Sequence, residues 1–402
     1  MTTRLNICVG RWSSGSTLIE LMIAIIIGLI MVLASFQVMA VFEGHKRTTS
    51  AMNDALQSGG FGLYALDKLA SSSGSGLVQA TSFAYGCPLT YTSSGGATVA
   101  AGTVGVTLPD PFGGVLAAGG GLLRLAPAVI FPGASVYPTG APSDTFMLMS
   151  GGAGFAEVPI PITPLPVITS VLLTVDSTVG LYANDWLLVG AAGVGCTVTP
   201  VVAVPSNVAL TLNGTYPMVP YATGYVVDLG RGAAASFMMY GVGPNDALYS
   251  IDLLNSDLVT RQEVSDDIVT MHAVYGVDPS LAGVGPLTWT NPVAGIVIGG
   301  LTYDYSPAGL LNGTPAATAA LRSIKAIRLA IIVRAPLSER WSASDTTISA
   351  TSNAISAGTY PMFGTLPTMP YNVATSWSVP AGQETYRYRV LEGTIPLRNA
   401  SF

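Results

Sequence analysis

From Leu21 to Ala34 the chain reads LMIAIIIGLIMVLA, an unbroken apolar run, and no ionisable side chain occurs between Leu21 and Phe42. About 20 helical residues cross the hydrocarbon of a bilayer, so this stretch reaches membrane length. Arg4 and Arg11 precede it and Glu43 follows. The positive-inside bias then places the first residues in the cytoplasm and the large remainder outside. A removable secretory signal and a plain permanent anchor are the competing readings. Against the first, the run exceeds the usual apolar core of roughly 7–15 residues, and no small-x-small cleavage pattern follows it. Apolar positions continue at helical spacing through Phe42, His45, Met52, Leu56, Leu63, Leu66 and Leu69. The pattern predicts one helix from Ser16 to Ala70, roughly 80 Å at 1.5 Å per residue, divided into a membrane part (16–42) and an amphipathic continuation (43–70). Gly59, Gly60 and Gly62 interrupt it, each costing about 1 kcal/mol against alanine, so a bend or an end is expected there.

Beyond Ser71 the periodicity changes to that of strands separated by Gly, Pro, Ser and Thr. Predicted strands are Thr145–Met149, Val167–Val175, Asp185–Gly190, Gly224–Leu229, Ala235–Tyr240, Ile268–Tyr275, Ile324–Arg334 and Tyr386–Leu397. In the Ile324 segment, Ile327, Leu329, Ile331 and Val333 alternate with Arg328, Ala330, Ile332 and Arg334, which puts one apolar row on one face. Tyr386 and Tyr388 alternate with Arg387 and Arg389 in the same way. The regular helices of a parallel α/β enzyme are missing from the pattern, so the expected class is α+β: a long N-terminal transmembrane helix whose C-terminal half packs against a mainly antiparallel β domain, 71–402. Residues 90–143, 281–322 and 336–384 read as long Gly/Pro-rich loops or insertions with short strands.

Composition narrows the function. Only 9% of the 402 residues are charged, against about 25% in an ordinary soluble domain, and the formal charge is -6. No basic stripe exists to hold nucleic acid. His45 and His272 are the only histidines, which argues against sites built from clustered imidazoles. His272 lies in an apolar strand-like segment and reads as a hydrogen-bonded structural residue. Asp252, Asp257, Asp266, Asp267 and Asp278 lack the dense spacing of a calcium loop. Nucleotide-loop, zinc-protease and hydrolase motifs are not found, so neither an enzyme nor a cofactor is expected, and no metal site is assigned.

Glu20 stands at the edge of the apolar helix, where a carboxylate costs about 2.5–3.5 kcal/mol on insertion scales and therefore calls for a partner. Cleavage after Gly15 would create an amine at Ser16, one helical turn from Glu20. In an array, a neighbouring subunit's amine would neutralise the acid inside a low-dielectric bundle; a contact within one subunit is the milder alternative. GSTLIELMIAIIIGL (Gly15–Leu29) closely resembles the prepilin signature of type IV pilins and type II secretion pseudopilins. The resemblance implies cleavage after Gly15 by a prepilin peptidase, methylation of Ser16, and a subunit-alignment role for Glu20. Ser16 stands where phenylalanine is commonest, and Ser13 and Ser14 where Lys or Arg is frequent. Removal of the leader, residues 1–15, takes away Arg4 and Arg11 and no acids, moving the formal charge from -6 to -8.

Further blocks resemble PilW-type minor pilins: Asp54–Leu89, Tyr182–Cys196, Asp266–Asp278, Ser323–Ala335 and Arg387–Ala400. Cys87 and Cys196 match that family's two cysteine positions, and the resemblance implies a bridge between them in the oxidising envelope. Free buried thiols and an intersubunit link remain the alternatives. The implied function is a non-enzymatic minor pilin in type IV pilus initiation and assembly, with the N terminus cytoplasmic and the large domain periplasmic. Its implied partners are other minor and major pilins, prepilin peptidase, the inner-membrane assembly platform and membrane lipid. It would be held in the bacterial inner membrane or carried to the pilus tip. A type II secretion minor pseudopilin and a pilus-borne adhesin are the competing functions.

Overall fold

The computed structural model describes residues 17–77, 84–93, 98–99, 108–115, 123–135, 142–152, 158–163, 171–191, 195–213, 224–278, 280, 286–338, 358–367 and 370–400. The leader, with Gly15 and Ser16, lies outside them. The chain forms two compact units, one ending at Ala51 and the other Met52–Phe402.

Helix α1 is Leu18–Ser72, so the three glycines neither end nor split it. From Met52 onward its buried stripe is Ala55, Leu66 and Ala70, with Met52, Leu56, Leu63 and Leu69 packed at the margin. These positions recur at three and four residues and place one face on the core. Gly59 and Gly62 belong to that face. A methyl at Gly59 would overlap Val333 Cγ1 and stand 3.1 Å from Leu391 Cδ1; one at Gly62 would stand 2.9 Å from Ile268 Cδ1. The expectation of a break is corrected: missing side chains let this stretch of helix approach the sheet, and the contact offsets their poor propensity. Gly60 points away, with nothing within 4 Å of a Cβ there. Ser71, Ser72 and Ser73 end the helix by donating to the carbonyls of Lys68, Leu69 and Ala70 at 3.0, 2.9 and 2.8 Å. Gly74 follows at φ 79°, and its N–H donates to Met149 O at 2.8 Å.

The second unit continues with β1 (Leu89–Thr92), β2 (Thr98–Val99), β3 (Ala128–Ser135), β4 (Ser143–Ser150), β5 (Ile160–Pro161) and β6 (Leu172–Thr174). Then come β7 (Asp185–Ala191), β8 (Gly195–Ser206), β9 (Ala209–Leu212), β10 (Tyr225–Arg231), β11 (Ser236–Gly243) and β12 (Ala247–Asp252). They are followed by β13 (Gln262–Ser265), β14 (Ile268–Val277), β15 (Thr288–Thr290), β16 (Ile296–Ile298) and β17 (Leu301–Tyr303). A helix Pro315–Ser323 leads into β18 (Ile324–Arg334), β19 (Thr359–Met362), β20 (Thr375–Ser378) and β21 (Tyr388–Pro396).

Three larger sheets result: β13-β12-β11-β4-β3, β15-β14-β18-β21, and β2-β1-β8-β7-β10-β5 with β9 and β6 attached through β8. Among the named pairs, β1 with β8 is parallel and the others are antiparallel. Ile324–Arg334 keeps its expected bounds, while the Val167 strand is described as Leu172–Thr174, residues 164–170 lying outside the described set.

Alternation in β18 sends Ile327, Leu329, Ile331 and Val333 into the main core. Its other face is apolar as well: Ala330 and Ile332 are buried beneath Met362, Phe363 and Trp377, which the β19–β20 hairpin and its turn bring over the back of the sheet. The single apolar row expected from the sequence therefore becomes a strand covered on both faces. Arg328 secures this cover, donating to Glu392 Oε2 at 3.2 and 2.7 Å and to Thr365 Oγ1 at 2.9 Å, while Phe363 N–H donates to Glu392 Oε1 at 2.8 Å.

Candidate functional site

In the first unit, α1 exposes large apolar side chains from Leu18 to Met39 and again at Phe42, with Glu20, Ser35 and Gln37 as polar positions among them. Its branched and straight apolar residues satisfy no polar group, while the backbone is internally hydrogen-bonded, as hydrocarbon demands. Ser35 closes its hydroxyl onto Met31 O at 2.8 Å. Among the described residues this is the one helix long and apolar enough to cross a membrane. Its length and composition support membrane insertion through this one segment of the described chain. Glu20 lies in the first turn, its N–H donating to Thr17 O at 3.0 Å. Unpaired N–H groups and the helix dipole favour an acid there. Arg47 and Glu43, one turn apart at 3.5 Å and exposed, resume the charged surface beyond the apolar stretch.

In the second unit, the docking face of α1 is fixed by polar contacts that the sequence reading missed. Ser58 Oγ donates to Asp266 O at 2.9 Å, and Ser265 Oγ donates to Ser58 O at 2.6 Å. Beside them an open groove of about 530 Å³ is lined by Asp54, Gln57, Phe61, Glu263 and Asp266. Hydrogen bonding with Asp266 holds the Glu263 carboxyl above its ordinary range, with burial adding to the effect. Burial raises Asp267, repulsion from Asp266 raises it further, and Arg334 opposes the shift. Burial likewise raises Asp246, opposed by its ion pair with Arg334. The aspartates weighed as metal ligands do not converge: among the described residues no group of three His, Cys, Asp or Glu is placed to hold a metal ion.

Cys87 and Cys196 form a disulfide with Cα atoms 5.8 Å apart, at a sequence separation of 109. It lies at the start of the parallel β1–β8 pair, where Leu89 is opposite Cys196 and Cys196 N–H donates to Pro88 O at 3.0 Å. Such a pair has no tight turn of its own, since parallel strands need a long connection. The bridge supplies the local tie. His272 is structural in its contacts: Nδ1 lies 3.5 Å from Asp144 Oδ1 and Nε2 3.3 Å from Thr270 Oγ1. Asp144 is buried and also accepts from the N–H groups of Gly133 at 3.0 Å and Ala273 at 2.9 Å, joining the sheet of β3 and β4 to β14.

The region from β10 to the end of β21 carries the sheet that receives α1, the hairpin cover and the Arg328–Glu392 pair. Residues 225–399 match the PilW family, described as Type IV Pilus-assembly protein W. This PilW-type region is somewhat under half of the chain and contains the Asp266–Asp278, Ser323–Ala335 and Arg387–Ala400 blocks. The prepilin-like signature, Asp54–Leu89 and Tyr182–Cys196 lie outside it. No curated protein and no solved structure matches the chain. The match likens residues 225–399, not the whole chain, to pilus-assembly proteins of this family.

Proposed function

We propose that the protein is a minor pilin that takes part in initiating and assembling a type IV pilus. The supporting observation is the presence on one chain of a PilW-type region and an exposed helix with no ionisable side chain between Leu21 and Phe42. Prepilin peptidase cuts after Gly15, and the new amine at Ser16 is methylated. The apolar helix holds the subunit in the inner membrane, N terminus cytoplasmic and large domain periplasmic. Transfer into a fibre exchanges lipid for neighbouring pilin helices, which leaves the apolar burial nearly unchanged and makes the electrostatic term decisive. Opposite charges 4 Å apart at an effective dielectric of 20 attract by about 4 kcal/mol. Glu20 facing a neighbour's Ser16 amine gains energy of that order, and a subunit out of register does not. Other minor pilins and the assembly platform act on the periplasmic domain and the membrane segment.

Mass spectrometry of the protein from envelope and sheared-fibre fractions tests the reading. An N terminus at methylated Ser16 is expected in both. Glu20→Ala should leave membrane insertion intact and lower fibre incorporation at least ten-fold. Normal fibres from this variant, or a mature protein that begins beyond Phe42, would refute the proposal.

A further inference from the structure

The side of α1 turned away from the core carries Asp54, Gln57, Phe61, Tyr64 and Lys68, spaced at three and four residues and so on one face. All five are exposed, the rings of Phe61 and Tyr64 by 56% and 63%. Gly60 lies beside them with open space where a side chain would stand. Scattered apolar residues on a surface need no explanation, but two large aromatic rings one turn apart at the lip of a groove mark a contact surface.

The groove of about 530 Å³ runs along this face, with β13 on its other side, and Phe61 and the carboxylates of Asp54, Glu263 and Asp266 border the same space. The acids there act on one another. Hydrogen bonding with Asp266 and burial hold the Glu263 carboxyl up, and burial with the charges of Asp266, Asp246 and Asp54 raises Asp267. The two cations that oppose these effects are engaged elsewhere. Arg334 pairs with Asp246 and lies over the Tyr386 ring at 4.5 Å, and Arg261 lies over the Tyr249 ring at 4.4 Å and donates to Asp110 O. Several carboxylates and an aromatic face around one opening suit a guanidinium or ammonium group. Charge also selects the occupant. Anionic lipid is repelled by such a surface. A second copy presenting the same face would set acids against acids, and Arg47, Arg231, Arg328 and Arg334 are already paired with Glu43, Asp185, Glu392 and Asp246. The complement is a basic segment of another protein.

We propose that the outer face of α1 and the groove beside it dock a different protein through a basic segment. An Arg or Lys side chain of that partner enters between Phe61 and the carboxylates of Asp54, Glu263 and Asp266, and an adjoining apolar side chain covers Tyr64. The acids steer the encounter and set its register, while the rings supply the area that leaves water. The surface does not depend on the pilus assignment.

In the cells that make the full-length protein, p-benzoylphenylalanine replaces Tyr64 and is photo-activated, and the cross-linked peptide is identified by mass spectrometry. The expected product joins position 64 to a different protein, at a segment with Arg or Lys within about one helical turn of the linked residue. Asp54→Lys combined with Glu263→Lys should lower the yield roughly ten-fold or more. Asp54→Asn with Glu263→Gln removes the charges without reversing them and should give an intermediate loss. Both acids are exposed, so these variants should keep the disulfide and the circular dichroism of the wild type. Replacing the partner's basic residue by Glu should restore the cross-link to the Lys variant, which damage to the fold would not allow. Phe61→Ser should lower the yield as well. A product with a second copy of this chain or with lipid alone, no product at all, or a yield unmoved by the charge reversals would each overturn the proposal.

Discussion

Replacing Gly59 and Gly60 one at a time by alanine separates helix propensity from helix–sheet approach at adjacent positions of α1. In a helix interior, alanine is favoured over glycine by about 1 kcal/mol. At Gly60 nothing lies within 4 Å of the added methyl, so Gly60→Ala should stabilise the second unit by about that amount. At Gly59 the same methyl overlaps Val333 Cγ1 and stands 3.1 Å from Leu391 Cδ1, inside the 3.5–4.0 Å optimum for carbon pairs. Val333 is fully buried on β18, between β14 and β21, and its branched side chain has little rotamer freedom. Overpacking of this kind costs about 1–3 kcal/mol. Set against the propensity gain, Gly59→Ala should range from neutral to about 2 kcal/mol destabilised. The two variants should therefore differ by about 1–3 kcal/mol, the size of the clash alone. Urea unfolding of each variant in detergent, followed by Trp fluorescence, measures the difference with the wild type as common reference. Val333→Ala should cost less in the Gly59→Ala background than alone, because the two changes share one space. Equal stabilisation by both alanines would refute the close-approach argument.

Two further outcomes follow from the same geometry. Cys87→Ala with Cys196→Ala opens a loop closed across 109 residues and should lower unfolding stability by about 2–4 kcal/mol, with reductant reproducing the loss in the wild type and having no effect on the variant. Stability should rise as pH is lowered from neutrality towards the ordinary carboxylate range. Asp267, Asp246 and Glu263 have raised folded-state values, so the folded protein takes up protons before the unfolded chain does, and stability is lost as pH climbs through that window. Asp267→Asn, which tolerates the local φ of 61°, should flatten part of the slope; an unchanged or steeper profile would contradict the burial effect at this carboxylate.

The extent of α1 was legible in the sequence to within two residues at each end, because a long apolar run followed by a three-and-four spacing specifies helix and buried face together. Alternation likewise located β18 to the residue. Composition pointed away from clustered-histidine chemistry, and an uninterrupted stretch without ionisable groups limits Leu21–Phe42 to hydrocarbon or to other helices. What the tertiary structure decided was the meaning of residues that local rules score as faults or filler. Gly59 and Gly62 weaken a helix in isolation and become contact positions only when Val333 and Ile268 arrive from strands some 200 to 270 positions away. Ala330 and Ile332 read as the outer side of β18 until the β19–β20 hairpin buries them. Periodicity is a property of neighbours in sequence, whereas close approach belongs to neighbours in space.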